Sequence, residues 1–295
     1  MINRLLKKSL HQFGYQIQRL DRSTGTQSAA MKPALKSVAS MEPVWPLPRR
    51  AGGLSDEEIR LEFAKHDQWH YPYQFEGGLS FGIKHHSPGS LSEDIERPIQ
   101  RFRHFMPFVI DSQGGSLEGK RVLDIACNSG FWAIQCALLG ANVTAFDARP
   151  ELIEQANLIK SIVGLDNVDF QVLDFWDMSP QLLGTFDVVL CLGILYHLPK
   201  PLEALELITS IAKGHVLLDT QISSSADSII KLYWEESDDI RATSKSGVVA
   251  YPSKSAIELM LRHIRPAEWF KIPLRSNDMP PDYLNHTRAT WLFKG

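Results

Sequence analysis

The feature of this sequence that most constrains its fold is the regular alternation of strand and helix patterns after Lys120. Short apolar runs alternate with helical periodicity, and short loops join them, which is typical of a parallel sheet with right-handed crossovers. Two late segments, 268–272 and 288–293, are expected to pair as antiparallel strands. The other predicted strands span 121–125, 142–147, 168–173, 186–192 and 215–220. The predicted helices span 130–139, 150–163, 201–212 and 253–263.

The chain ahead of this alternation divides into two parts. Residues 1–53 combine a basic amphipathic helix, predicted at 1–20, with a linker rich in Ser, Thr, Ala and Pro. Such a helix suits packing against the protein or a second copy, which we favour, or peripheral contact with a membrane surface. Residues 54–118 form a predicted helical and lid extension, and residues 119–295 form the main domain.

The extension contains one well-marked helix start and one aromatic segment. Ser55 and Glu58 have the spacing of a capping box, so a helix should begin there. The aromatic, Gly-rich run 69–82 is typical of a lid over a pocket, and a second helix at 93–110 should be broken by its two prolines. We therefore predict an α/β fold: a Rossmann-like, doubly wound, seven-stranded, mostly parallel sheet with an antiparallel C-terminal strand pair and a helical N-terminal extension.

Charge and composition narrow the classes of partner. The first 50 residues carry nine basic and two acidic side chains, whereas the rest of the chain carries 22 basic and 32 acidic ones. An acidic body binds a polyanion poorly, so nucleic acid would have to use the basic arm. No apolar run approaches the length of a membrane span, and the N-terminus lacks the pattern of a secretory signal. Three cysteines without disulfide spacing favour a cytoplasmic protein, and the histidines lack metal-ligand spacing, so no metal is expected.

The most informative motif lies at the first predicted strand–helix turn, between Val122 and Trp132. The strand carries Asp124, and backbone N–H groups at the start of the following helix should face a ligand. Dinucleotide-binding turns place three glycines where this chain has Ala126, Asn128 and Gly130. A single glycine disfavours a closely packed pyrophosphate and suits a ligand with an amino-acid end, whose ammonium Asp124 would approach.

A second carboxylate ends the next predicted strand. Asp147 follows Asp124 by about 20 residues, the spacing at which an acid accepts hydrogen bonds from a ribose diol. Both NAD and S-adenosylmethionine contain such a ribose. The glycine count at the first turn favours S-adenosylmethionine.

The third informative segment follows the strand at 186–192. Leu192 and Gly193 leave the sheet at its carboxyl edge, where open α/β sheets bind ligands, and Tyr196 and His197 follow. An acceptor hydroxyl has to lose a proton on methylation, and a histidine accepts protons near neutrality. We predict that His197 is the general base and that Tyr196 lies beside the reacting methyl; the alternative for His197 is a packing role.

These motifs together resemble class I S-adenosylmethionine-dependent methyltransferases. The similarity covers roughly 69–295 and is closest to the wobble-uridine tRNA methyltransferase group. The matching features are the residues around Cys127, the Tyr-His pair and a final strand that begins with Arg288. The resemblance implies that Asp174 binds the adenine amine and that Phe175, or Trp176 in its place, covers the ring.

One branch of that group transfers a carboxymethyl group from carboxy-S-adenosylmethionine. There a tyrosine at the position of Tyr196 helps to hold the extra carboxylate, and Lys84 and Arg288 are loose matches to the rest of that clamp. The implied cofactor is therefore S-adenosylmethionine, with the carboxy form as the alternative. We predict O-methylation of a small molecule or glycan, with tRNA modification second and a catalytically silent cofactor-binding protein third.

Overall fold

The computed structural model describes residues 41–83, 96–236 and 247–295, and within them a seven-stranded sheet forms the centre. Its strands are β3 (Arg121–Ile125), β4 (Asn142–Asp147), β5 (Val168–Val172), β6 (Phe186–Leu192), β7 (Ala212–Gln221), β10 (Trp269–Lys271) and β11 (Arg288–Lys294), and two short hairpins add β1 (Tyr73–Phe75), β2 (Leu79–Phe81), β8 (Ile230–Trp234) and β9 (Val248–Pro252). In spatial order the sheet is β10-β11-β7-β6-β3-β4-β5. Strands β3 to β7 run parallel, and β11 runs antiparallel to both of its neighbours. The predicted fold class and the antiparallel C-terminal pair are confirmed.

Helices cover both faces of the sheet because side chains of successive strand residues point to opposite sides. The described helices are α1 (Asp56–Ala64), α2 (Arg97–Ser112), α3 (Phe131–Leu138), α4 (Pro150–Val163), α5 (Pro180–Leu183), α6 (Pro201–Ile211), α7 (Lys254–Ile264) and α8 (Pro281–Leu284). On β3, Val122 belongs to one apolar cluster and Leu123 and Ile125 to the other, and β6 separates Leu190 from Val189 in the same way. The first cluster contains side chains of α2, α3 and α4, and the second contains those of α6 and α7.

The capping box predicted at the start of α1 is present. The Glu58 backbone N–H donates to the Ser55 hydroxyl, and the Ser55 N–H donates to the Glu58 carboxylate at 2.8 Å. The prediction that Pro107 breaks the next helix is wrong, and the predicted start of that helix ahead of Pro98 lies outside the described residues. Pro98 lies in the first turn, where its missing N–H has no partner to lose, and α2 continues through Pro107 because its flanking apolar side chains are buried.

The lid role of 69–82 stays a prediction, but the structure shows how the segment is packed. This segment contains the β1–β2 hairpin, and its rings pack around Phe63 of α1, which stacks on the buried Trp69 with ring centroids 4.2 Å apart. The Tyr73 hydroxyl donates to the Ser129 carbonyl at 2.6 Å, directly behind the turn after β3. The alternate buried positions of β1 make its rings part of the first apolar cluster.

Other predictions fall outside the described residues or stay predictions. The amphipathic helix at 1–20, the start of the 93–110 helix and Lys84 lie outside the described residues, and the boundaries at 53 and 118 stay predictions. The β8–β9 hairpin was not expected; side chains of β8 are exposed, with Trp234 at 70%. In the described part of the chain, each helix is too short or too polar to cross a bilayer.

Candidate active site

The turn between β3 and α3 holds an unusual run of left-handed backbone. Ala126, Asn128 and Gly130 have φ values of 54°, 53° and 87°. The Asn128 side chain stabilises its own turn by accepting from the Ser129 N–H at 2.7 Å. The three positions that carry glycine in dinucleotide-binding turns therefore keep that backbone conformation here with one glycine.

Gly130 is required for space as well as for conformation. A Cβ added at this position would lie 2.8 Å from Cζ of Phe170 on β5 and 3.1 Å from Cβ of Ala156 on α4. The turn and the start of α3 are therefore packed tightly against the neighbouring strand and helix. This packing holds the backbone N–H groups of the turn in a fixed arrangement at the carboxyl edge of the sheet.

Asp124 is buried near the end of β3 with one oxygen unsatisfied. Its side chain is 2% exposed, and Oδ2 has no hydrogen-bond partner among the described residues. Burial raises the pKa of Asp124 to about 8, and the charge of Asp147 adds to the rise. A hydrogen bond from the Ala133 backbone N–H lowers this pKa but does not offset the burial. A buried acceptor without a donor is costly, so this oxygen fits a cationic or hydrogen-bonding ligand group.

Asp147, at the end of the adjacent strand β4, is tied to the same turn. Its Oδ2 accepts from the Asn128 N–H at 3.0 Å and its Oδ1 accepts from the Arg149 N–H at 3.1 Å. Burial raises the pKa of Asp147 despite these bonds. Each carboxylate oxygen can accept two hydrogen bonds, so Asp147 retains capacity for a diol.

The segment after β5 forms a short 3-10 turn, Phe175–Asp177, with Asp174 as its cap. Asp174 Oδ1 accepts from the Trp176 N–H at 3.0 Å. The Phe175 ring is buried in the second apolar cluster, whereas Trp176 is 38% exposed. Of the two rings named for the adenine, Trp176 therefore has the accessible face.

Tyr196 and His197 lie in a second 3-10 turn, Leu195–His197, beyond the carboxyl end of β6. Gly193, with φ 107°, starts this loop, and its N–H donates to the Asp219 carbonyl at 2.9 Å. The His197 Nδ1 lies 2.8 Å from Oε2 of Glu235, which follows β8. The Tyr196 ring packs against Tyr251 of β9 with centroids 5.4 Å apart.

The Tyr196–His197 pair lies in a strongly polar environment. Burial alone would raise the pKa of Tyr196, but His197 and the Arg288 guanidinium lower it below its usual value. Burial alone would lower the pKa of His197, but Tyr196 and the Glu235 carboxylate raise it instead. The Arg288 guanidinium carbon lies 5.3 Å from the Tyr196 ring centroid.

A buried cluster of arginines and aspartates lies behind this pair. Asp219, at the end of β7 and fully buried, accepts from Arg288 Nη1 at 2.6 Å and from Arg101 Nη2 at 2.9 Å. Asp282 accepts from Arg288 Nε at 2.8 Å and from Arg97 Nη2 at 2.6 Å. Burial would raise the pKa of Asp219, but the two guanidinium groups lower it. The cluster joins α2, β7 and β11 beneath the edge where the tyrosine lies.

Most residues of this edge are predictable from the sequence, but their partners are not. Strand pairing brings β3, β4 and β6 side by side, and with them Asp124, Asp147 and the loop to His197. Arg288, which the sequence matched loosely to a clamp, is engaged with the two aspartates through Nε and Nη1, and its Nη2 donates to the Tyr196 hydroxyl at 3.4 Å. Asp219 was detectable as an acid late in an apolar strand, and Tyr251 as the start of a Tyr-Pro-Ser motif ahead of a helix; no sequence signal marked the following partners: Arg101, Glu235 and Asp282.

A family model described as a methyltransferase domain matches residues 91–264, more than half of the chain. Curated relatives include the ubiquinone biosynthesis O-methyltransferases of Xanthomonas campestris pv. campestris (strain B100) and Xanthomonas axonopodis pv. citri (strain 306). The first is 38% identical over 107 residues, which is 36% of this chain and 44% of the relative; the second is 34% identical over 131 residues, 43% and 54% of the two chains. This chain thus matches about half of the length of these relatives, and they lend no support to the wobble-uridine tRNA group.

Solved structures of the same fold include the N-terminal domain of EvdMO1, crystallised with SAH and also in the presence of SAH and D-fucose. The SAH structure has a TM-score of 0.67 and 20% sequence identity, and it covers 84% of this chain and 100% of that domain. The D-fucose structure has a TM-score of 0.66 with the same identity and coverage. The fold, the turn with its two carboxylates and the family match agree: the chain belongs to the class I S-adenosylmethionine-dependent methyltransferases.

Proposed function

We propose that this protein transfers a methyl group from S-adenosylmethionine to a hydroxyl of a small molecule. The observation that carries the proposal is a juxtaposition at one edge of the sheet. The turn after β3, with the unsatisfied Asp124 oxygen, adjoins the loop after β6 that bears Tyr196 and His197, and β3 and β6 are hydrogen-bonded neighbours. A cofactor-sized ligand on the first turn would therefore lie next to the second.

The residues of this edge fit the cofactor in charge and in backbone shape. Asp124 would receive the ammonium of the methionine end, because its buried Oδ2 needs a donor. Asp147 would accept the ribose hydroxyls with the capacity left after its two backbone bonds. The rest of the proposed cofactor set is Ala126, Asn128 and Gly130 in the turn, Asp174 with Phe175 or Trp176 at the adenine, and Leu192 and Gly193 at the start of the loop.

When bound, S-adenosylmethionine supplies a methyl group on an electrophilic sulfonium. The protein has to align the acceptor oxygen, exclude water and remove the proton of the hydroxyl. His197 would receive that proton, since its ring is largely buried and hydrogen-bonded through Nδ1. Tyr196, in contact with the same ring, would orient the acceptor.

Several observations favour a small molecule as acceptor. The relatives are named for ubiquinone biosynthesis, so hydroxylated precursors of a quinone are the first acceptors to test. The acidic body after residue 50 opposes a polyanionic tRNA, and nothing in the described residues favours a glycan.

The test is a transfer assay with methyl-labelled S-adenosylmethionine and three acceptor pools: hydroxylated aromatic small molecules, total tRNA and a glycan extract. We expect label on the small molecules. Label confined to tRNA or glycan would refute the acceptor class. Cofactor binding by titration calorimetry without transfer to any pool would favour a silent cofactor-binding protein.

A further inference from the structure

Glu235 reaches the candidate active site from outside the main sheet. It follows the last residue of β8, and its backbone N–H still donates to the Gly247 carbonyl at 2.7 Å, so the hairpin ladder holds its backbone. Its side chain then extends to His197, 38 positions earlier in the chain, at 2.8 Å. The hairpin also brings Tyr251 against the Tyr196 ring.

The bond to Glu235 determines which nitrogen of His197 carries hydrogen. An ionised carboxylate only accepts hydrogen bonds, so the Nδ1 that faces it has to be the donor. In the neutral ring the other nitrogen, Nε2, is then the acceptor. A proton acceptor for a substrate hydroxyl needs this tautomer.

We propose that Glu235 is a positioning residue that holds His197 in the tautomer and orientation required of a general base. This inference rests on the proposed function, in which His197 receives the acceptor proton. Glu235 acts through the imidazole and not on the reacting groups. The β8–β9 hairpin, whose first strand is exposed, would therefore serve the site by delivering this carboxylate.

The charge of Glu235 also influences the titration of His197, together with the groups around the ring. The carboxylate favours the imidazolium and contributes to the raised pKa of His197. A base works in its neutral form, so activity should rise as the pH rises through that pKa. The elements packed against the turn contribute further ionisable groups: Tyr196 beside the ring, Tyr251 on β9, Asp219 on β7, Arg288 on β11, and Lys200 and Glu203 at the start of α6.

The decisive variants are Glu235→Gln and Glu235→Ala. The glutamine keeps an acceptor for Nδ1–H but loses the charge, so the acid limb of the kcat/KM profile should move to lower pH. The alanine also removes the acceptor for Nδ1–H, so the His197 ring can adopt either tautomer. We therefore expect kcat to fall roughly 10- to 100-fold with little change in KM. The matched control is Glu236→Gln, which removes the same charge from the next, exposed position. It should leave kcat and the pH profile of kcat/KM unchanged.

A second readout does not depend on turnover. NMR titration of the His197 ring in the ligand-free protein should show a lower pKa in Glu235→Gln than in wild type. An unmoved titration together with an unmoved acid limb would overturn the positioning role. The charge-neutral Glu235→Gln variant carries the test if the alanine variant fails to fold.

Failure of the proposed function would look different. Full activity in His197→Asn would show that His197 is not the base, while the NMR titration would still report whether Glu235 controls the ring. If His197→Asn lost activity while both Glu235 variants behaved as wild type, the positioning role of Glu235 would be refuted and the role of His197 as base would stand.

Discussion

The tight packing at Gly130 predicts a large loss of stability in Gly130→Ala. Two effects add at this position. The φ of 87° is left-handed, which costs an L-residue about 1–2 kcal/mol, and a Cβ 2.8 Å from the Phe170 ring forces a shift worth about 1–3 kcal/mol. The free energy of unfolding should therefore fall by about 2–5 kcal/mol, a large share of the stability of an ordinary domain.

The matched control separates conformation from crowding. Gly114, just beyond the end of α2, has φ 81°, and apart from its chain neighbours no atom of residues 41–83, 96–236 and 247–295 lies within 4 Å of where a Cβ would stand. Gly114→Ala should therefore lose only the backbone component, about 1–2 kcal/mol. Urea unfolding, followed by circular dichroism, measures both variants, and the denaturant slopes should be unchanged.

The crowding component can be relieved at its source. Phe170→Leu removes the ring edge nearest to the added methyl, so in the Gly130→Ala background it should cost less than in the wild type. Equal losses in Gly130→Ala and Gly114→Ala, or strict additivity with Phe170→Leu, would refute the steric reasoning.

Three further predictions concern single side chains. Asp147→Ala should weaken S-adenosylmethionine binding by on the order of 1–3 kcal/mol in titration calorimetry, because the ribose loses a charged acceptor; unchanged affinity would remove Asp147 from the site. Tyr73→Phe should destabilise the protein by about 1 kcal/mol in urea unfolding, because the bond to the turn after β3 is lost, and an unchanged midpoint would contradict this. Burial would raise the pKa of Asp282, but hydrogen bonds from Arg97 and Arg288 lower it from 3.8 to about 2, so its stabilising contribution is present above 3.8 and is lost as the pH falls towards 2. Thermal melts of Asp282→Asn should lack this acid-side decline, and a slope equal to wild type would count against it.

Local signals in the sequence were sufficient to predict the sheet and the edge that carries the candidate site. Each central strand is a short apolar run, and parallel strands joined by helices leave their carboxyl ends at one edge, so Asp124, Asp147 and the Tyr196–His197 loop were predictable as neighbours. The Ser55 cap was equally local, because its partner is three residues away. Periodicity and short spacings carry this information without reference to the rest of the chain.

Only the tertiary structure decided how these residues are held. The partners of Asp219 lie up to 118 positions away, and Glu235 reaches His197 from a separate hairpin, so no local spacing encodes either contact. The helix through Pro107 and the burial of Trp69 and Tyr73 likewise depend on apolar surfaces supplied by other elements. Sequence alone therefore determined the fold and the sheet edge that carries the candidate site, whereas packing between distant segments determined the charges around the Tyr196–His197 pair.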